Sequence, residues 1–333
     1  MIQQDPGPQA AARGPRMVVL DGHVLNPGDN PWDAVAALGR LTVHERTAPG
    51  EVRARAAGAQ VVMTNKTPLR AADIEALPEL RLVAVLATGY DVVDVGAAAA
   101  RGVTVCNVPG YGTPAVAQFV FALILECCHR VGDHGASVRA GRWASGPDWC
   151  YWLTPQVELA GRTMGVVGYG DIGSRVAGLA HAFGMEVLVH TPRPKPAPGW
   201  GPFAFVGLEE LFSQSDVVSL HCPLTADNAG FVNDALLARM RPGAILVNTA
   251  RGALVDEAAL ARALDRGALG AAALDVLGAE PPAAGHPLLE RDNCILTPHM
   301  AWASQQARRR LMAQVAENIR AFLAGSPVNV VRG

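Results

Sequence analysis

Three residues in the second half of the chain combine a guanidinium, a carboxylate and an imidazole. Each stands just beyond a short apolar run. Arg251 lies in Asn248-Thr249-Ala250-Arg251-Gly252, which follows Ala244 to Val247. Glu280 follows Leu274-Asp275-Val276, and His299 ends Leu296-Thr297-Pro298-His299 after the run that begins at Cys294. A guanidinium fork can grip a carboxylate and a ketone oxygen together. An imidazole can give a proton to a forming alkoxide. A carboxylate on the other ring nitrogen fixes the ring and favours its protonated form. Reduction of a 2-keto acid requires those groups, and the set lacks only a hydride.

A hydride source is implied upstream. Gly168-Tyr169-Gly170-Asp171-Ile172-Gly173 follows the apolar run Met164 to Val167 and opens a helical pattern through Val176, Leu179 and Ala180. A glycine loop between strand and helix is the fingerprint of dinucleotide binding. Gly168 permits the tight turn, Gly170 lets the backbone approach a pyrophosphate, and Gly173 lets helix and strand pack closely. Asp171 and Ile172 open the helix whose free N–H groups face the phosphates. The next strand, Glu186 to Val189, runs into His190-Thr191-Pro192-Arg193. An acid there would bind the ribose 2′-hydroxyl and repel a 2′-phosphate. Thr191 removes the repulsion and Arg193, with Lys195 nearby, supplies a phosphate partner. The expected cofactor is therefore NADP(H) in preference to NAD(H). Cys222 and Pro223, beyond the run Val217 to Leu220, and Ala250 complete the expected cofactor contacts.

These residues need a scaffold that brings strand ends together. Apolar runs at Met17 to Leu20, Val61 to Met63, Leu82 to Leu86 and Val103 to Cys106 alternate with helical stretches at Ala34 to Leu38, Ala71 to Leu77 and Val95 to Ala100. That alternation specifies an α/β fold with a parallel sheet. Val108 to Pro114 is rich in breakers and reads as a hinge. One long helix is expected from Ala115 to about Ala140, then an aromatic loop from Trp143 to Leu153. A second α/β series starts at Thr163, with strands at Met164 to Val167, Glu186 to Val189, Val217 to Leu220, Ala244 to Asn248, Ala271 to Leu274 and Cys294 to Thr297. Leu311, Val315, Ile319 and Phe322 give the last segment, Ser304 to Leu323, an apolar stripe at helical spacing.

Composition removes other classes. The 333 residues are 50% hydrophobic and 17% charged, enough for two cores and against global disorder. A formal charge of −2 argues against nucleic-acid binding. The richest apolar run, Phe119 to Leu125, falls well short of the ~18–20 residues a bilayer span needs. The six cysteines form no CxxC pair, so neither a metal site nor a disulfide scaffold is expected. The first sixteen residues have no apolar secretory core and read as a disordered tail, and the protein as cytoplasmic.

The chain resembles the D-isomer-specific 2-hydroxyacid dehydrogenase family, and within it the glycerate dehydrogenase and hydroxypyruvate reductase group. The resemblance covers Val18 to Val330 and is carried by the glycine loop, by Asn248 through Asp256, by Leu274-Asp275-Val276 with Glu280-Pro281, and by Thr297-Pro298-His299. It implies two Rossmann-like, doubly wound domains. A split substrate domain, 17–108 and 300–333, would receive an inserted dinucleotide-binding domain, 109–299. It implies a homodimer. It implies that Arg251 binds substrate, that His299 is the acid–base and Glu280 its partner, and that Asp275 holds the nicotinamide carboxamide. Backbone N–H groups at Ala87, Thr88 and Gly89 would bind the substrate carboxylate, with Asn65 and Lys66 on another loop facing it. Formate dehydrogenases of this fold place Gln where Glu280 stands. The expected activity is hydride transfer between NAD(P)H and a small 2-keto acid, hydroxypyruvate or glyoxylate first, giving the D-2-hydroxy acid. Two alternatives stand beside it. One is a reductase of an unusual, bulkier keto acid capped by Trp149-Cys150-Tyr151-Trp152. The other is a dinucleotide-sensing scaffold.

Overall fold

The computed structural model describes residues 14–193 and 195–332. It divides into two compact units, 1–112 with 303–333, and 113–302. The turns fall a few residues beyond the expected 108/109 and 299/300. Residues 109–112 still run with the first unit, and the second opens with the helix that starts at Thr113.

The first unit contains β1 (Arg16–Val19), α1 (Asp33–Ala36), β2 (Arg40–Val43), α2 (Val52–Ala56), β3 (Val61–Thr64), α3 (Ala71–Glu75), β4 (Leu82–Val85), α4 (Val95–Ala100) and β5 (Thr104–Cys106). Its five strands are all parallel, in the order β2-β1-β3-β4-β5. Successive strands therefore depart on opposite sides of β1, so the sheet changes direction between β1 and β3. Every residue of β3 and β4 is buried, as continuous apolar runs in a two-faced parallel sheet must be. β2 is an addition to the strands read from sequence. It lies at the sheet edge with no fully buried residue, so Arg40-Leu41-Thr42-Val43 lacks the apolar run that marks the others. The expected tail is shorter than sixteen residues. The N–H of Arg16 donates to Gln60 Oε1 and the carbonyl of Pro15 accepts from Arg40, which fixes 15–16 into the sheet. The remainder of that expectation, residues 1–13, lies outside the described residues. The C-terminal helix, Gln305–Leu323, returns to this unit. Its Arg308 is 7% exposed and grips Asp29 through both Nη1 (2.5 Å) and Nη2 (2.7 Å). That pairing holds the Asp29 carboxyl below the usual carboxylate range.

The second unit opens with α5 (Thr113–His129) and α6 (Val131–Arg139). The single helix expected from 115 to 140 is thus two, bent by 56° at Arg130. Arg130 adopts the left-handed region (φ 47), where a non-glycine residue is uncommon and cannot continue a helix. The burial changes there too: α5 buries Val116, Val120, Phe121 and Ile124, while α6 buries nothing. Among the described residues no single helix is long and apolar enough to cross a membrane. There follow β6 (Thr163–Val167), α7 (Asp171–Ala182), β7 (Glu186–His190), β8 (Phe203–Phe205), α8 (Leu208–Gln214), β9 (Val217–Leu220), α9 (Asp234–Leu237), β10 (Ile245–Asn248), α10 (Glu257–Asp265), β11 (Ala271–Leu274) and β12 (Cys294–Leu296). The seven strands are parallel, in the order β12-β11-β10-β9-β6-β7-β8. The order reverses at β6/β9, the doubly wound arrangement whose ligands sit beyond the strands' carboxyl ends at that point. The pleat divides the core. Val166, Val189, Val217 and Val247 pack against α5 and α7, while Val167, Val218, Leu220 and Leu246 pack against α8, α9 and α10. β8, an exposed edge strand, was also absent from the strands read in sequence.

Candidate active site

The glycine loop runs from β6 into α7 at the reversal point. Gly168 has φ +98, and a Cβ on it would lie 2.6 Å from the carbonyl oxygen of His221. A Cβ on Gly173 would lie 2.0 Å from the carbonyl oxygen of Gly168, so helix and turn meet only without side chains. Gly170 differs. It opens α7 with an ordinary backbone conformation, and a Cβ there would meet nothing within 4 Å. Among the described residues no protein acceptor faces the N–H groups of Gly170, Asp171 or Ile172. Open space over unpaired donors at a helix start is what a pyrophosphate needs. Thr191 is partly buried at the end of β7, and Arg193 is exposed two residues on. Thr249 Oγ1, beside Ala250, is buried without a hydrogen-bond partner. Cys222, partly buried, has its thiol pushed up by burial, and Pro223 follows it, exposed. These features fit a bound dinucleotide.

Sequence reasoning missed His221. Its N–H donates to Val167 (2.7 Å), and its Nε2 lies 2.8 Å from Ser219 Oγ. Its carbonyl forms the floor under Gly168. Burial pulls the imidazole down from 6.5 to about 3, so the ring stays neutral. Only the short distance to β9 in sequence hinted at this.

Arg251, Glu280 and His299 stand beyond the carboxyl ends of β10, β11 and β12, three neighbouring strands. Asn248 shapes the first turn. It is 1% exposed, its Oδ1 accepts from the Ala250 N–H (3.0 Å), and its Nδ2 donates to the Arg251 carbonyl (2.8 Å). Arg251 Nη1 in turn donates to the Ala250 carbonyl (2.8 Å). Glu280 Oε2 lies 2.6 Å from His299 Nδ1, and its Oε1 accepts from the Leu277 N–H (3.1 Å). His299 is left-handed (φ 53), a conformation that costs about 1–3 kcal/mol when it is imposed. Its N–H donates to Thr297 and its carbonyl accepts from Trp302 Nε1 (2.9 Å), which hold it there.

Asp275 supplies the rest of that support. It is 1% exposed. Its Oδ1 accepts from Thr297 Oγ1 (2.6 Å) and the Met300 N–H (2.9 Å), and its Oδ2 from the Ala301 N–H (2.8 Å). Burial raises its carboxyl above the usual range, against those three donors. The residue expected to face the nicotinamide thus also fastens the loop that carries His299.

The first unit's residues form their own group, beyond the ends of β3 and β4. The Asp21 carboxylate accepts from the N–H groups of Asn65 (2.8 Å), Lys66 (2.6 Å) and Thr67 (2.7 Å). The Asn65 side chain is buried and its Nδ2 donates to the Leu86 carbonyl (2.7 Å), whereas Lys66 is exposed. Thr88 Oγ1 donates to the Val108 carbonyl (2.8 Å). Among the described residues no acceptor faces the N–H groups of Ala87, Thr88, Gly89 or Tyr90. No cluster of metal-ligating side chains occurs among the described residues.

A doubly wound sheet, a glycine loop at its reversal and an arginine with a histidine–glutamate pair on neighbouring strand ends define a nicotinamide-dependent oxidoreductase. Residues 121–301 match the NAD-binding domain of the D-isomer-specific 2-hydroxyacid dehydrogenases. The chain is 47% identical over 319 residues to a hydroxypyruvate reductase of Blautia hydrogenotrophica, covering 95% of this chain and 99% of that one. It is 43% identical over 285 residues to a glycerate dehydrogenase of Methylorubrum extorquens, covering 85% and 88%. The crystal structure of an NADPH-dependent glyoxylate/hydroxypyruvate reductase from Sinorhizobium meliloti, with NADP and malonate, superimposes with a TM-score of 0.81 at 31% identity, covering 95% and 96%. The chain belongs to the D-isomer-specific 2-hydroxyacid dehydrogenase family and is an NAD(P)-dependent enzyme of it.

Proposed function

We propose that this enzyme reduces hydroxypyruvate, and glyoxylate second, with NADPH preferred. The single observation that carries the chemistry is the 2.6 Å contact of Glu280 with His299 Nδ1, on a strand end near that of Arg251. The chemistry that a bound nicotinamide supplies is a hydride at the carbonyl carbon. His299 delivers the proton to the carbonyl oxygen from Nε2, because Nδ1 is committed to Glu280. Arg251 grips the carboxylate and polarises the ketone. Asp275 retains acceptor capacity for a carboxamide N–H. The unpaired N–H groups at Thr88 and Gly89, with Lys66 and Asn65, are proposed as substrate contacts. The names of the relatives support hydroxypyruvate and glyoxylate as substrates. Thr191 with exposed Arg193 supports the 2′-phosphate preference.

The test is initial rates of NADPH and NADH oxidation with hydroxypyruvate, glyoxylate, pyruvate and phenylpyruvate. Hydroxypyruvate with NADPH is expected to turn over fastest. R193A is expected to raise KM for NADPH at least ~10-fold, about 1.4 kcal/mol, and to leave that for NADH nearly unchanged. H299A is expected to lose at least ~100-fold in kcat while still binding cofactor. Turnover within tenfold of wild type in H299A would remove histidine from the mechanism. A phenylpyruvate preference would move the substrate to a bulkier acid.

A further inference from the structure

Glu280 sits on a stretch, 275–286, that has no helix or strand of its own. Its Oε1 accepts from the Leu277 N–H within that stretch. The stretch that carries the 2.6 Å contact with His299 is also fastened from outside. Glu257, the first residue of α10, does this with one carboxylate. Its Oε1 accepts from the Gly278 N–H (2.7 Å) and its Oε2 lies 3.1 Å from His286 Nε2. The two bonds close residues 278–286 into a loop whose ends share one acceptor. The proton position follows from the network: His286 Nδ1 accepts from the Leu288 N–H (3.3 Å), so Nε2 carries the hydrogen donated to Glu257. Both side chains are largely shielded, His286 at 16% and Glu257 at 22% exposure.

The clamp also shares a wall with the substrate arginine. A Cβ on Gly252, the residue after Arg251, would lie 1.9 Å from the carbonyl carbon of Leu277 and 2.4 Å from Gly278 N. The Leu277–Gly278 peptide therefore lies flat against the turn that bears Arg251. Glu257 opens α10, the helix into which that same turn leads. Position along that connection is thus transmitted to both reactive carboxylate and guanidinium.

We propose that Glu257 and His286 form a second carboxylate–imidazole pair whose task is to position Glu280 against His299. The proposal rests on the reading of Glu280–His299 as the acid–base pair. Neither residue touches substrate, and both act through the loop. A displacement of about 1 Å at such a site can cost ~100-fold in rate.

The experiment compares wild type with E280Q, E257A, E257Q, H286A and H286Q, using hydroxypyruvate and NADPH. It records kcat, the pH profile of kcat and NADPH binding by fluorescence. E257A and H286A are expected to lower kcat about 10- to 100-fold and to leave NADPH affinity within ~2-fold. They should alter the pH profile of kcat in the same way as E280Q, because all three variants act on the one Glu280–His299 contact. H286Q, whose amide still donates to Glu257, should recover most of the rate. E257A combined with E280Q should be little worse than E280Q alone. If E257A folds poorly, E257Q carries the same comparison, since it keeps the Gly278 acceptor and loses the one for His286. A wild-type pH profile in E257A and H286A, with effects additive to E280Q, overturns the positioning role even if kcat falls. An E280Q enzyme indistinguishable from wild type overturns the acid–base reading, and the clamp falls with it.

Discussion

At the scale of single residues, the groups that could be read from sequence are those that follow strands. Arg251, Glu280 and His299 each sit beyond an apolar run, so position and chemistry coincide. Glu257 and His286 do not announce themselves, because their meaning lies in contacts across 21 and 29 residues. His221 is a third such residue, and it has a measurable consequence. Its imidazole is held at about 3 against an ordinary 6.5. Between those values the unfolded chain takes up a proton that the folded chain refuses. Stability therefore falls as pH drops from 6.5 toward 3, with a limiting slope of ~1.4 kcal/mol per pH unit. H221Q, which can still bond Ser219, is expected to flatten that dependence in urea melts at pH 7.5, 6 and 5. Parallel stability curves for the two proteins would contradict the buried neutral imidazole.

At the scale of elements, the glycine loop separates two requirements that a motif merges. Gly173 is glycine for packing, because any side chain would overlap the Gly168 carbonyl. Gly170 is not needed for packing, because a Cβ there meets only open space. G173A is expected to push α7 from β6, lower Tm by several degrees and weaken NADPH binding. G170A is expected to keep the wild-type Tm and weaken NADPH binding by ~10-fold or more. Equal losses of Tm in both variants would mean that the loop is built by packing alone. The elements that sequence missed share a cause. β2 and β8 are edge strands with little buried surface, so they carry no apolar run. The bend at Arg130 is a single backbone torsion in an otherwise helical pattern, which periodicity does not register.

At the scale of the whole molecule, the strand and helix alternation of both units was legible because parallel strands buried on two faces read as near-continuous apolar runs. The exposed apolar segment 131–152 was less so. Residues 131–152 of the second unit expose Val131 (66%), Trp149 (86%) and Trp152 (66%). α6 buries none of its residues, and its Val131 and Val138 are exposed. If this segment forms a homodimer interface, light scattering gives a mass about twice 34.8 kDa. V131D and W149D place charge on that surface and are expected to yield monomer. W152A distinguishes the two uses proposed for the rings. If they only seal the interface, the dimer weakens and the ratio of hydroxypyruvate to phenylpyruvate turnover stays at its wild-type value. If Trp152 reaches substrate, that ratio changes by several-fold in a protein that remains dimeric. Monomeric wild type would remove the dimer, dimers that survive both aspartates would place the interface elsewhere, and either outcome would leave the exposed rings to the substrate role.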